Sequence, residues 1–309
     1  MTDFQNSYGR LARFYRTLAM SLALISSGMA LAAAAGETVP DKNGKLANKV
    51  ALITGAGSGM GREIALLFAK EGAAVVVADI DGISAGKTAE TIRNARGQAL
   101  AVTADVTREQ DVSRMVDTTV STYGRLDILV NNAGVLDGQL PIHETTPEVY
   151  DMIYETNQRA VFLCCQRAIR IFLEQGTPAN IVNVASAASL RGLKGGAMYV
   201  TTKHAVLGLT RNISASFFER GIRCNCIEPA NILTEINKVP REKGIGILEW
   251  QMRAGKAAPL HTITKPGEKK PILGKPKDCA NAIAYLADDV AARYISGAEL
   301  KVDAGWLNM

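Results

Sequence analysis

The rhythm of apolar positions changes at about Lys49. From there "KVALITGAGSGMGREIALLFAKEGAAVVVADID" sets a short apolar run, VALIT, ahead of four glycines, and then spaces Ile64, Ala65, Phe68 and Ala69 at helical intervals. A run of that length suits a strand covered on both faces, and the spacing after it suits one buried face of a helix. AAVVVAD is a second strand, ending on Asp79. The alternation continues to the C-terminus. Apolar runs predict strands near 98–104, 127–131, 180–185, 222–227 and 298–302; helical periodicity predicts helices near 83–96, 108–123, 147–173, 197–219 and 277–288. Strand–helix units repeated in this way imply an α/β fold, a doubly wound parallel sheet in three layers. Residues 48–309 read as a single domain, with no internal repeat beyond the alternation itself.

The first 47 residues follow a different pattern. "TLAMSLALISSGMALAAAAG", residues 17–36, carries no charge, follows Arg10, Arg13 and Arg16, and ends in alanines. It is the outline of a signal peptide, with small-residue cleavage options at Ala33–Ala35, and its length also approaches that of a membrane span. An Arg-bearing organelle presequence or a disordered leader fits as well. The domain that follows needs a dinucleotide, as argued next, so it is expected in an NAD-containing compartment, cytoplasm or organelle, with membrane association through this segment; export is the alternative.

Composition narrows the function classes. Nearly half of the 309 residues are hydrophobic, enough for a large core. The net charge of +5 is confined to one segment: between Lys238 and Lys277 there are ten Lys or Arg and three Glu. With no basic helix and no aromatics interleaved among the cations, nucleic acid is not an expected partner. Cys164, Cys165, Cys224, Cys226 and Cys279 match neither a zinc framework nor a disulfide scaffold, and His143, His204 and His261 have no metal-ligand spacing, so no metal is expected.

Gly55, Gly57, Gly59 and Gly61 fall between the first strand and the first helix. Glycines there let the backbone turn sharply and approach a pyrophosphate, whose charge is met by the N–H groups of the new helix. Asp79 stands where an adenosine ribose would lie. A carboxylate there accepts from both ribose hydroxyls and repels a 2′-phosphate, and positions 78–82 hold no Lys or Arg. NAD is therefore expected over NADP.

Four motifs in order give the chain a close resemblance to the short-chain dehydrogenase/reductase family, in its single-domain branch. They are TGAGSGMG at 54–61, NNAG at 131–134, NVAS at 183–186 and Tyr199-X-X-X-Lys203. The resemblance covers residues 46–309 and implies a Rossmann-like fold. It also implies a homotetramer or homodimer, and cofactor contacts at Gly55, Gly57, Ser58, Gly59, Met60, Gly61 and Asp79. Asp105 and Val106 should meet the adenine, and Asn132, with Ala133 and Gly134, should brace the sheet beside the cofactor. Pro229, Ile232 and Thr234 should pass the nicotinamide, with Thr234 reaching its carboxamide.

The Tyr199–Lys203 pair also has a physical reading. Residues four apart on a helix project together, and a nearby ammonium favours phenolate over phenol, lowering the tyrosine toward the working pH. Tyr199 would exchange a proton with a secondary alcohol or ketone as hydride passes to or from nicotinamide. By resemblance Ser186 bonds the reacting oxygen, Lys203 also holds the cofactor ribose, and Asn157 holds a water that links the lysine to solvent. Ser189 is out of register for the serine role. The rival reading is a cofactor-binding regulatory or scaffold protein without turnover, against which all four positions are filled.

Two departures stand out: Pro229-Ala230 where the family has Pro-Gly, and "VDAGW" for Asp-Gly-Gly near the end. Substrate choice is expected to depend on a long basic lid at about 231–277, whose cations could attract an anionic substrate or a membrane. Leu136, His143, Leu190, Leu193 and Met198 are expected to line the cleft, favouring a hydrophobic alcohol or ketone.

Overall fold

The computed structural model describes residues 41, 43–192, 195–234, 236, 245 and 273–308. β1 (Val50–Thr54) is buried along its whole length, as VALIT requires, and pairs in parallel with β2 (Ala74–Asp79) on one side and β4 (Ile128–Asn131) on the other. With β3 (Ala99–Thr103), β5 (Ala179–Val184), β6 (Ile222–Pro229) and β7 (Glu299–Val302) the sheet has seven strands, in the order β3-β2-β1-β4-β5-β6-β7. Every pairing is parallel.

Helices cover both faces. α1 (Gly59–Lys70), α2 (Gly82–Asn94) and α7 (Pro276–Ala287) bury Ile64, Phe68, Ala89, Ile92 and Ile283 against one; α3 (Glu109–Tyr123), α5 (Ala160–Gln175) and α6 (Ala197–Phe217) bury Met115, Val116, Phe172, Val206 and Ile213 against the other. Each such large side chain contributes about 1.5–3 kcal/mol relative to exposure. Cys224 and Cys226 share the second face, and all five cysteines are free and buried. Burial pushes the Cys165 thiol up to about 12, which suits packing rather than reactivity.

Strand order reverses between β1 and β4, so their carboxyl ends part and open a crevice, the usual ligand position in such sheets. The helix expected over 147–173 differs in one respect. α4 (Pro147–Tyr154), capped by Thr146, runs into a π-turn at Glu155–Arg159 before α5. The wider turn re-aims the side chains around Asn157, a local feature that periodicity does not reveal.

The packed unit reaches upstream of 48. Leu46 is 1% exposed, Asp41 N donates to Lys70 O, and Leu46 N donates to Glu71 O. Lys49 Nζ meets Asp289 at 2.5 Å, and Asp289 also accepts from Arg223 at 3.1 Å. The apolar leader at 17–36, Leu193, His261 and most of the lid lie outside the described residues. Among the described residues no helix is long and apolar enough to cross a membrane.

Candidate active site

The turn between β1 and α1 is fixed from below. Thr54 Oγ1 accepts from Asn132 N at 3.0 Å and Ala133 N at 3.1 Å, while Asn132 Nδ2 donates to Thr54 O and Gly55 O at 3.0 and 3.1 Å. Asn132 thus ties the end of β4 to the glycine turn. Gly55 and Gly59 have φ of +63° and +51°, a conformation side chains rarely adopt. A Cβ on Gly61 would lie 2.1 Å from Gly55 O, so α1 starts pressed against the turn.

Asp79 Oδ2 accepts from Gly57 N at 2.8 Å and Oδ1 from Asp81 N at 2.9 Å, holding the carboxylate at the rim of the turn. A Cβ on Gly59 would come 3.8 Å from Thr234, which places that residue over the turn. Asp105 Oδ1 accepts from Thr107, and Val106 packs against the core beside it. Ser58 does not cap α1 with its side chain, which leaves first-turn N–H groups for an anion. A glycine-rich turn, open helix N–H groups and a carboxylate one strand away fit a dinucleotide.

Ser186, Tyr199 and Lys203 converge at the carboxyl ends of β5 and β6. Tyr199 and Lys203 are buried one turn apart on α6. Ser186 begins a short 3-10 turn (Ala187–Ser189); its Oγ accepts from Ala188 N at 3.1 Å, and the hydroxyl is close enough to Tyr199 to lower its pKa. Ser189 Oγ accepts from Ser186 N at 3.1 Å and so fixes the backbone of Ser186. Lys203 Nζ donates to Val184 O at 2.8 Å and lies 5.7 Å from the Tyr199 ring centroid.

The expected lowering of Tyr199 by Lys203 does not dominate. Burial pushes the phenol up to about 12, the Ser186 hydroxyl lowers it, and the Asp137 carboxylate raises it again. Burial also pushes Lys203 down to about 8, so the cation is itself weakened. The Asn157 side chain is clamped on the Val135 backbone: Oδ1 accepts from Val135 N at 2.9 Å and Nδ2 donates to Val135 O at 2.8 Å. A Cβ on Gly134 would stand 3.2 Å from Asn157 Oδ1 and 3.7 Å from Lys203 Nζ, so the three positions are neighbours.

Asp137 was not singled out by sequence. It is fully buried and accepts from Tyr199 N at 2.8 Å and Gly196 N at 3.0 Å. Its only signal is an acid in an otherwise apolar and glycine-rich stretch after NNAG. Leu140, Val149, Ile153 and Met198 form a small buried apolar cluster next to the loop after β4, with Ile245 packed against it. Of the expected lining, Met198 belongs there, whereas His143 is exposed at the surface beside Glu144 and Leu190 is 37% exposed. Ile232 packs against the core near α7 and bridges to Gly274, and Pro229 ends β6.

A family model described as Enoyl-(Acyl carrier protein) reductase matches residues 55–307. The chain is 34% identical over 267 residues to 3beta-hydroxysteroid dehydrogenase 2 of Eggerthella lenta, covering 85% of this chain and 96% of that protein. It is 37% identical over 266 residues to secoisolariciresinol dehydrogenase of Forsythia intermedia, covering 85% and 90%. The structure of 3-ketoacyl-(acyl-carrier-protein) reductase from Brucella melitensis, complexed with NADH, matches with a TM-score of 0.72 and 34% identity over 85% of this chain and 99% of that one.

Proposed function

The chain belongs to the short-chain dehydrogenase/reductase family and is an oxidoreductase interconverting a secondary alcohol and a ketone with a nicotinamide cofactor; from that premise we propose that it uses NAD and that Tyr199 is its acid/base. The observation that carries the reading is the convergence of Ser186, Tyr199 and Lys203 in one buried cleft beside the glycine turn.

The residues divide the work. Tyr199 gives its proton to a ketone oxygen, or takes one from an alcohol. Ser186, close to the phenol, holds the substrate oxygen between two hydroxyls. Lys203 supplies positive charge under the phenol and N–H groups beyond the one used by Val184 for a ribose. The bound nicotinamide supplies the hydride acceptor or donor. Asn157, its side chain occupied by Val135, supports proton relay to Lys203 through its main chain. Gly55, Gly57, Ser58, Gly59, Met60 and Gly61 hold the pyrophosphate, Asp79 the adenosine ribose, Asp105 and Val106 the adenine, and Asn132, Ala133, Gly134, Pro229, Ile232 and Thr234 the nicotinamide side.

NAD is favoured because Asp79 keeps a carboxylate at the ribose position and no cation lies at 78–82 to offset a 2′-phosphate. The apolar cluster of Leu140, Val149, Ile153 and Met198 beside Tyr199 supports a hydrophobic substrate, in keeping with relatives named 3beta-hydroxysteroid dehydrogenase 2 and secoisolariciresinol dehydrogenase. A homotetramer or homodimer belongs to the same proposal, Phe162 offering an exposed apolar group on α5, and so does membrane association through the leader. The test is a panel of secondary alcohols and ketones with NAD and NADP, wild type beside Tyr199→Phe. Turnover should favour NAD, and the variant should lose about 10²–10⁴ in kcat. Equal turnover by both proteins would end the reading; nucleotide binding by both without turnover would favour a scaffold.

A further inference from the structure

We infer that Asp137 is a positioning residue of this reaction: its buried carboxylate, accepting from the backbone N–H groups of Tyr199 and Gly196, sets where the α6 start holds the phenol and locks the loop after β4 to that helix. The inference rests on the reading of Tyr199 as acid/base.

Gly196 is the N-cap of α6, and it offers no side chain to satisfy the first N–H groups of the helix. Asp137, 59 residues upstream of Gly196, takes that place across space. A third backbone donor, Gln139 N at 3.0 Å, closes a tight turn at Asp137–Gly138–Gln139, where Gly138 and Gln139 both have positive φ. Leu140 O then accepts from Ala197 N at 2.9 Å, a second tie between the loop and the helix. The fit is close: a Cβ on Gly196 would lie 2.4–2.6 Å from the Asp137 carboxyl atoms. A fully buried carboxylate that, among the described residues, is satisfied by main-chain donors alone is costly unless its charge is used, and a helix N-terminus is where that charge is least unfavourable.

The charge also reaches the phenol. The groups that face Tyr199 are Ser186 from the end of β5, Asp137 from the loop and Lys203 Nζ, 5.7 Å from the ring centroid. Burial first, and then Asp137, oppose ionisation of the phenol, while Ser186 favours its ionised form.

In wild type, the amide proton shifts of Gly196 and Tyr199 should follow the titration of the Asp137 carboxyl with one shared midpoint, above the ordinary Asp range because of burial. This measurement needs neither substrate nor variant, and independent titration of those amides would overturn the inference. In Asp137→Asn, which keeps the shape and removes the charge, the rising limb of the pH profile for cyclohexanol oxidation with NAD should move to lower pH by about half a unit or more. Its kcat should fall about ten- to a hundredfold while the Kd for NAD stays within about twofold. A lower kcat with an unmoved profile would reduce Asp137 to a structural cap. Gly196→Ala, which keeps the carboxylate but displaces it, should lower kcat in the same way; wild-type kcat there would count against the inference. Full activity of Tyr199→Phe would instead sink the acid/base reading itself, whatever Asp137 does.

Discussion

Glu228→Gln should make the protein more stable above neutral pH. Glu228 sits on β6 opposite Lys301 of β7, is completely buried, and neither carboxylate oxygen meets a hydrogen-bond partner among the described residues. Burial, followed by the Glu299 carboxylate, pushes its pKa up to about 7, against pulls from Lys301 and Arg211 and a further push from Asp303. Arg211 is already engaged by Glu299 at 2.6 Å. In the unfolded chain an ordinary Glu titrates near 4.3. Between those two values the native state binds more protons than the unfolded state, so stability is highest below the unfolded pKa and declines as pH rises through about 7. At about 1.4 kcal/mol per pH unit, the decline is on the order of 3 kcal/mol, a large share of a typical total of about 5–15 kcal/mol. Glutamine keeps the volume and cannot ionise. Urea unfolding at half-unit steps from pH 4.5 to 9 should show wild type and variant within about 1 kcal/mol of each other at the acid end, with the variant leading by roughly 3 kcal/mol at pH 8.5. A stability difference that stays constant across the range would refute the reasoning.

Three other changes have defined outcomes. Asp79→Asn removes the charge that repels a 2′-phosphate and should lower the NAD over NADP preference in kcat/KM by about tenfold or more; an unchanged ratio would remove Asp79 from cofactor choice. Gly61→Ala puts a methyl into the 2.1 Å gap to Gly55 O, so urea unfolding should show a loss of about 1–3 kcal/mol and fluorescence titration weaker NAD binding; wild-type values for both would show that the turn can yield. Lys203→Met removes the cation beside the ring while filling its space. Alcohol oxidation, which needs the phenolate, should then rise only at higher pH than in wild type, and an unmoved profile would show that Lys203 does not act on Tyr199.

The sheet and the cofactor side were legible because their signals are local. VALIT and AAVVVAD became β1 and β2, and the glycines between strand and helix became the turn that Asp79 braces. The expected strands agree with the observed ones to within one or two residues, β6 running on to Pro229 because those residues pair with Lys301 and Val302. What stayed hidden depends on contacts distant in sequence. Asp137 is an unremarked acid until the fold sets Gly196 and Tyr199 against it, and Ser189 matters only because its hydroxyl turns back onto Ser186 N. The acidity of Tyr199 was misjudged for the same reason: helical spacing shows the nearby cation but not the desolvation that outweighs it. The π-turn at Glu155–Arg159 leaves no trace in periodicity, since it adds one residue to a helix that otherwise continues.

The stitched segment at 41–49 bears on how the chain can be matured. A processing protease that cuts at the alanines around Ala33–Ala35 would leave the Asp41–Lys70 and Leu46–Glu71 bonds in place and release an intact domain. A nick after Lys49 would strip Leu46 from the core and deprive Asp289 of one of its two cations. The permissible scissile bonds therefore lie before Asp41, and trimming beyond that point would cost the mature enzyme its shelf life before it touched the chemistry.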